Sequence, residues 1–150
     1  MKKLSKITSG IAGVYSAAAE LSKQGYIASM TLRNTKGIDI MVANEDATKT
    51  VGVQVKTNQG GSDWWLLTDK AEGYFANNLF YVFVNLNNGE KPDFFVVPSK
   101  IVASYVKKYH KEWLATPGKK GQKHKDNPMR NFWDEKKEYL NRWDLLRLNK

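Results

Sequence analysis

The run Leu79-Phe80-Tyr81-Val82-Phe83-Val84-Asn85-Leu86 constrains this chain most. It is aromatic and β-branched, the composition of a buried strand, so the fold must contain a sheet that it helps to fill. Asn87-Asn88-Gly89 is a hairpin-type turn, and Asp93 to Val97 is the next strand. Three earlier stretches also read as strands: Tyr26 to Arg33, Ile38 to Ala43 and Thr50 to Thr57. The turn clusters Asn34-Thr35-Lys36-Gly37 and Asn44-Glu45-Asp46 separate them. The third alternates, with Val51, Val53 and Val55 on one face and Gly52, Gln54 and Lys56 on the other. Asp63 to Leu67 fits either a strand or a turn.

Helical patterning surrounds these strands. Ile7, Ile11, Val14, Ala18 and Leu21 form one stripe of a helix over Ile7 to Gln24, and Gly25 is a natural stop. Asp69 to Asn77 reads as a short helix. Ser99 is placed to cap a helix running to about Leu114, and Asn131 to cap a last one from Phe132 to about Leu146. The last would turn Trp133, Tyr139, Leu140 and Trp143 to its apolar side. The sum is an α/β sandwich with a mixed sheet. Its length of 150 residues favours one domain: a core over about 7–98 and a basic helical extension over about 99–150.

Composition excludes several chemistries. There is no cysteine, which removes disulfides, thiolate metal sites and cysteine nucleophiles. The two histidines, His110 and His124, stand in unlike contexts, which argues against zinc. No stretch approaches the roughly 18 apolar residues of a membrane span. Met1-Lys2-Lys3 followed by Ile7 to Ala19 imitates a secretory signal, but Thr8, Ser9, Gly10, Gly13 and Ser16 interrupt it and it has no leucine. A cytoplasmic protein is expected.

Charge placement says more than its total of +9. Residues 1–98 hold 10 Lys/Arg against 9 Asp/Glu, and residues 99–150 hold 14 against 6, so the net charges are +1 and +8. Such asymmetry suits a phosphate-contacting surface; it also suits a solvated basic face.

Chemistry gathers on the strands after the first helix. Asp39 lies in Gly37-Ile38-Asp39-Ile40, with its apolar neighbours pointing the other way. If the second and third strands pair, Asp39, Gln54 and Lys56 converge on one face. A carboxylate, an amide oxygen and a cation together suit a divalent metal beside a phosphate. In the first helix Gly13, Ala17 and Glu20 are spaced i, i+4, i+7. Glycine there costs helix stability, roughly 1 kcal/mol against alanine, and close approach to the sheet or to a DNA backbone is a reason to bear it. Such packing would bring Glu20 toward Asp39.

A helix with Glu20, a strand with Gly37-Ile38-Asp39 and a strand with Gln54-Val55-Lys56 together resemble the PD-(D/E)xK nuclease superfamily, in particular its small Holliday-junction resolvase-like and intron-encoded members. The resemblance covers about residues 7–86. It implies a restriction endonuclease-like αβββαβ core with a mixed central sheet, here followed by C-terminal helices, and hydrolysis of DNA with Mg²⁺, for which Mn²⁺ substitutes. Asp39 would be the central metal ligand, Gln54 and the Val55 carbonyl further ligands, Glu20 an auxiliary one and Lys56 the catalytic lysine. Gln54 departs from the usual Asp or Glu, since an amide gives the metal an oxygen without charge.

Other residues fit a duplex or branched DNA partner. Lys36 sits in the turn before Asp39. Gln59 and Ser62 flank a glycine-rich loop after the motif strand. Lys119, Lys120, Lys123 and Lys125, with His124 among them and Arg130 just beyond, form a basic stretch. The tryptophans could stack on bases, though most belong in a core. Paired strand cuts would call for a homodimer. Two competing readings are a nuclease-fold protein that binds DNA without cutting it and a module whose basic surface meets an acidic protein.

Overall fold

The computed structural model describes residues 2–32 and 35–149. Helix α1 (Lys6–Lys23) comes first, then strands β1 (Ile27–Met30), β2 (Ile40–Ala43), β3 (Thr50–Asn58) and β4 (Trp64–Thr68). A short 3₁₀ turn (Asp69–Glu72) leads to β5 (Leu79–Asn85), a second (Asn87–Gly89) to β6 (Asp93–Pro98), then come α2 (Ser99–Ala115) and β7 (Met129–Trp133), and a third 3₁₀ turn spans Trp143–Leu146. The expected turn at 34–37 includes Asn34, which with Arg33, the expected end of the first strand, lies outside the described residues.

Five strands form a mixed sheet in the order β1-β2-β3-β5-β6. Only β3 and β5 run parallel; the other neighbours are antiparallel. The buried run Leu79–Asn85 is an interior strand covered on both faces, which is why every residue in it is buried. On one face Val51, Val53 and Val55 pack with Ala17 and Leu21 of α1 in a largely aliphatic cluster. On the other, Tyr81 and Phe83 meet Trp65, Phe132, Val102 and Val106 from an antiparallel β4–β7 ribbon and from α2.

Helix α1 begins at Ser5, whose Oγ accepts the Thr8 N–H at 3.1 Å. It ends before Gly25, whose φ of +85° lets the chain turn. Gly13 is required by contact: a Cβ there would fall 1.8 Å from Thr57 Oγ1 on β3. The glycines of α1 thus serve the sheet at Gly13, whereas Gly10 has open space around it.

Several expectations are corrected. Residues 132–146 are not a helix. Arg130 and Phe132 point inward at a period of two and make β7, paired with β4. The Asp134 carboxylate then accepts the N–H groups of Glu138 (3.0 Å) and Tyr139 (2.9 Å), and Lys137 and Asn141 take positive φ, so the chain turns. Trp133 consequently faces outward. The expected helix over 69–77 is only the four-residue 3₁₀ turn, so the β3-to-β5 crossover is made by β4 and that turn. Ser99 does not cap α2: its Oγ exchanges hydrogen bonds with the Ala76 N–H and C=O, both at 3.1 Å. No helix among the described residues is long and apolar enough to cross a membrane.

Candidate nuclease site

The site is built where β2 leaves β3. Asp39 N–H donates to Val53 O at 2.8 Å, just before the first residue of β2. One step further along β3, no β2 carbonyl takes the Val55 N–H. The Asp39 carboxylate takes it instead, Oδ2 accepting at 2.7 Å. The N–H and C=O of one strand residue point to the same side, so the Val55 carbonyl also faces the space beyond the start of β2. The acid thus stands beside the backbone of the residue between Gln54 and Lys56.

The side chains divide around this edge. Asp39 and Val55 line a cavity of about 520 Å³ with Lys6, Gly10, Ile11 and Thr31, on the α1 side. Gln54 and Lys56 line a separate cleft of about 590 Å³ with Lys36, Lys70, Tyr74 and Tyr81, on the ribbon side. The single convergent face expected from strand alternation is not formed: Asp39 approaches along the sheet edge, between the two hollows.

Two tyrosines shape the cleft. The Tyr74 hydroxyl donates to Gly37 O at 2.7 Å, and its ring fills the space where a Cβ on Gly37 would lie. Gly37, with φ of +75°, can make the turn into Asp39 only as glycine. Burial, then the negative charge of Asp39, raises the Tyr74 pKa. Burial, then neighbouring Tyr74, pushes Tyr81 up to about 12. Both phenols are therefore hydrogen-bond donors at neutral pH, not bases.

Glu20 does not join the site. It is half-buried on α1 and pairs with Lys23 at 3.6 Å. The helix lines the Asp39 cavity from Lys6 to Tyr15, and Glu20 lies beyond that stretch, about 7 Å further along the axis. Arg130 is not an exposed phosphate contact: it is 8% exposed, its guanidinium held by Glu72 and by the carbonyls of Asn127 and Met129. Gln59 spends its amide on the amino-terminal segment, accepting the Leu4 N–H at 2.7 Å and donating to Lys2 O at 3.0 Å. Ser62 Oγ accepts from Asn58 at 3.0 Å. Lys119, Lys120, Lys123 and Lys125 are exposed on a loop. Aromatic stacking fixes that loop, with His124 against Trp113 at 4.1 Å and the Trp113 carbonyl 2.8 Å from His124 Nδ1. His110 and Asp126, 2.8 Å apart, tie it again. Lys70 and Tyr74 carried no motif and were not anticipated; only the cleft identifies them.

Comparison with solved structures then speaks to the arrangement. The structure of a bacterial homing endonuclease, I-Ssp6803I, matches with a TM-score of 0.60 over 97% of this chain and 94% of that one, at 13% identity. The chain shares the fold of that protein. The two folds correspond along nearly the whole chain. No family profile and no curated protein matches the sequence, so the likeness lives in the backbone.

The donors at this edge suit a hard divalent cation such as Mg²⁺. Asp39, the Gln54 amide and the Val55 carbonyl offer hard oxygens. Among the described residues no group of three or more His, Asp or Glu is placed to hold a metal, so the set rests on one carboxylate. Mg²⁺ is commonly held by one or two carboxylates with water and substrate phosphate completing its shell. Asp39 and the Val55 carbonyl meet at the edge while Gln54 lines the neighbouring cleft, so an ion held there would draw much of its shell from water and substrate phosphate.

Proposed function

We propose that this chain is a Mg²⁺-dependent endonuclease that hydrolyses DNA phosphodiester bonds. The observation that supports this best is the Asp39 carboxylate bonded to the Val55 N–H, at a sheet edge flanked by Gln54 and Lys56, in a backbone that matches a homing endonuclease. Asp39, Gln54 and the Val55 carbonyl would hold the metal, with Mn²⁺ as a substitute. When bound, the ion supplies positive charge at the scissile phosphate and acidifies water. The Val55 N–H keeps one Asp39 oxygen fixed and leaves the other to bind. Lys56 holds a non-bridging phosphate oxygen and stabilises the charge that grows on it in the transition state. The exposed loop lysines 119, 120, 123 and 125, with Lys36, contact the duplex backbone. Glu20 has no part in this chemistry.

A second reading, DNA binding with little or no cleavage, is favoured by Gln54, which leaves the metal a single carboxylate. One assay separates the two. Wild type, Asp39→Ala and Lys56→Ala are incubated with supercoiled, linear and branched DNA and either Mg²⁺ or Mn²⁺. Wild type is expected to cut, both variants to lose at least 100-fold in rate, and all three to retain binding. Identical background nicking by the three proteins would leave only the binding reading.

A further inference from the structure

The cleft on the ribbon side of β3 has an electrostatic character of its own. Lys36, Lys56 and Lys70 line it together, and no Asp or Glu lines it. Among the described residues, none of these lysines comes within ion-pair distance of a carboxylate. Like charges sharing one hollow repel, and an anion bound in the hollow relieves this beyond what solvent screening does.

The backbone that carries Lys70 is anchored. It belongs to the 3₁₀ turn Asp69–Glu72, which is fixed at three points. Asp69 N–H donates to Pro128 O at 2.9 Å, Ala71 is buried, and Glu72 is engaged by Arg130. The two carboxylates on the same turn are therefore placed apart from the Lys70 charge: Glu72 is spent on Arg130, and neither Asp69 nor Glu72 lines the cleft.

We propose that Lys70 and Lys36 form a second phosphate subsite, which takes the backbone phosphate adjacent to the scissile one on the same DNA strand. A phosphodiester carries one negative charge. The scissile phosphate matched to Lys56 leaves two cations unanswered in a cleft of about 590 Å³, large enough for more than one phosphate. The subsite rests on the nuclease reading for its occupant, and Lys70 registers the strand without touching the reacting atoms.

The test is binding without cleavage. Fluorescence anisotropy of a labelled duplex is measured over a salt series with EDTA present, for wild type, Lys70→Gln, Lys36→Gln and Lys70→Arg. Each phosphate contact on duplex DNA contributes roughly 0.9 to the slope of log affinity against log salt. Lys70→Gln and Lys36→Gln are each expected to be shallower than wild type by part of that amount, since the two share one phosphate, and Lys70→Arg to match wild type. Lys70 is exposed, so circular dichroism should show all four proteins folded. A Lys70→Gln slope equal to wild type overturns the subsite while leaving the nuclease reading intact. Wild-type binding that ignores salt overturns both. Inorganic phosphate, titrated in parallel, tests a free anion as occupant. Phosphate binding that Lys70→Gln abolishes, with its DNA slope unchanged, overturns the DNA backbone as the ligand.

Discussion

The two faces of the central sheet are made of different materials. Toward α1 the cluster is mainly Val, Ile, Leu and Ala, and the helix comes close enough that a single glycine sets the distance. Toward the ribbon the cluster is a chain of rings: Trp65 to Phe83 at 4.9 Å, Tyr81 to Phe83 at 5.4 Å and Phe83 to Phe132 at 4.7 Å. Aliphatic packing lets a helix lie flat on strands. Large rings hold the ribbon away from the sheet, and where the rings stop, at Gln54 and Lys56, the lysine-lined cleft opens. Gln54 and Lys56 are tolerated on that face because they are only partly buried, lining the cleft beside Leu67 and Thr68 of β4.

The largest effect should come from the ring chain. Phe83→Ala is expected to cost about 3–5 kcal/mol. Val82→Ala, one residue along and on the aliphatic face, should cost clearly less, about 1.5–2.5 kcal/mol, because only two methyl groups are lost. Both residues are fully buried, so urea midpoints at constant m compare them directly. Equal losses would remove the contrast between the faces. Arg130→Ala should follow at about 2–3 kcal/mol, below the usual 3–5 for a broken buried pair because Glu72 is 28% exposed. Its salt slope for DNA binding should equal that of wild type. A shallower slope would return Arg130 to the DNA surface.

The aliphatic face is sharpened by two glycines with opposite expected signs. Gly13→Ala drives a methyl into Thr57 and should destabilise by about 1–2 kcal/mol, overpacking outweighing improved helix propensity. Gly10→Ala meets nothing within 4 Å and should stabilise by up to about 1 kcal/mol. Thermal or urea unfolding reads both, and a stabilising Gly13→Ala would mean that α1 is free to lift.

Such local facts mark what the sequence could and could not reveal. The valine alternation of β3 and the unbroken ring-rich run of β5 were legible, but the stripe of α1 was not: Ile7 and Ile11 are 65% and 47% exposed, and the buried line is Gly13, Ala17 and Leu21. Strand β7 was not legible either. Met129 and Trp133 are apolar on its outer face, at 55% and 45% exposed, and mask the inward pair Arg130 and Phe132. Asp39, Gln54 and Lys56 were legible as a motif, but not the route by which Asp39 reaches the edge, because alternation describes a regular ladder and the ladder ends there. Glu20 pairs with Lys23 and is absent from the cavity that Asp39 lines. A helical wheel gives the direction of a side chain and omits the rise along the axis. Lys70 and Tyr74 lie on a segment with no periodic signature, and only tertiary structure brings them to the cleft.

The smallest thermodynamic effect should accompany a large chemical one. Tyr74→Phe removes the hydroxyl that donates to Gly37 O and keeps the ring that fills the space beside it. A single hydrogen bond of this kind is worth about 1 kcal/mol, so unfolding should shift little. The turn it steadies delivers Asp39 to the Val55 N–H two residues later, and small misplacements of a reacting group can cost about 100-fold. Cleavage in Mg²⁺ is therefore expected to fall roughly 10- to 100-fold while DNA affinity in EDTA stays within about twofold, since the hydroxyl touches no phosphate. Raising Mg²⁺ should recover part of the rate if the loss lies in how Asp39 is presented to the metal. A parallel fall in DNA affinity would instead place Tyr74 in direct contact with the nucleic acid, making the cleft face, and not the edge, the place where this residue acts.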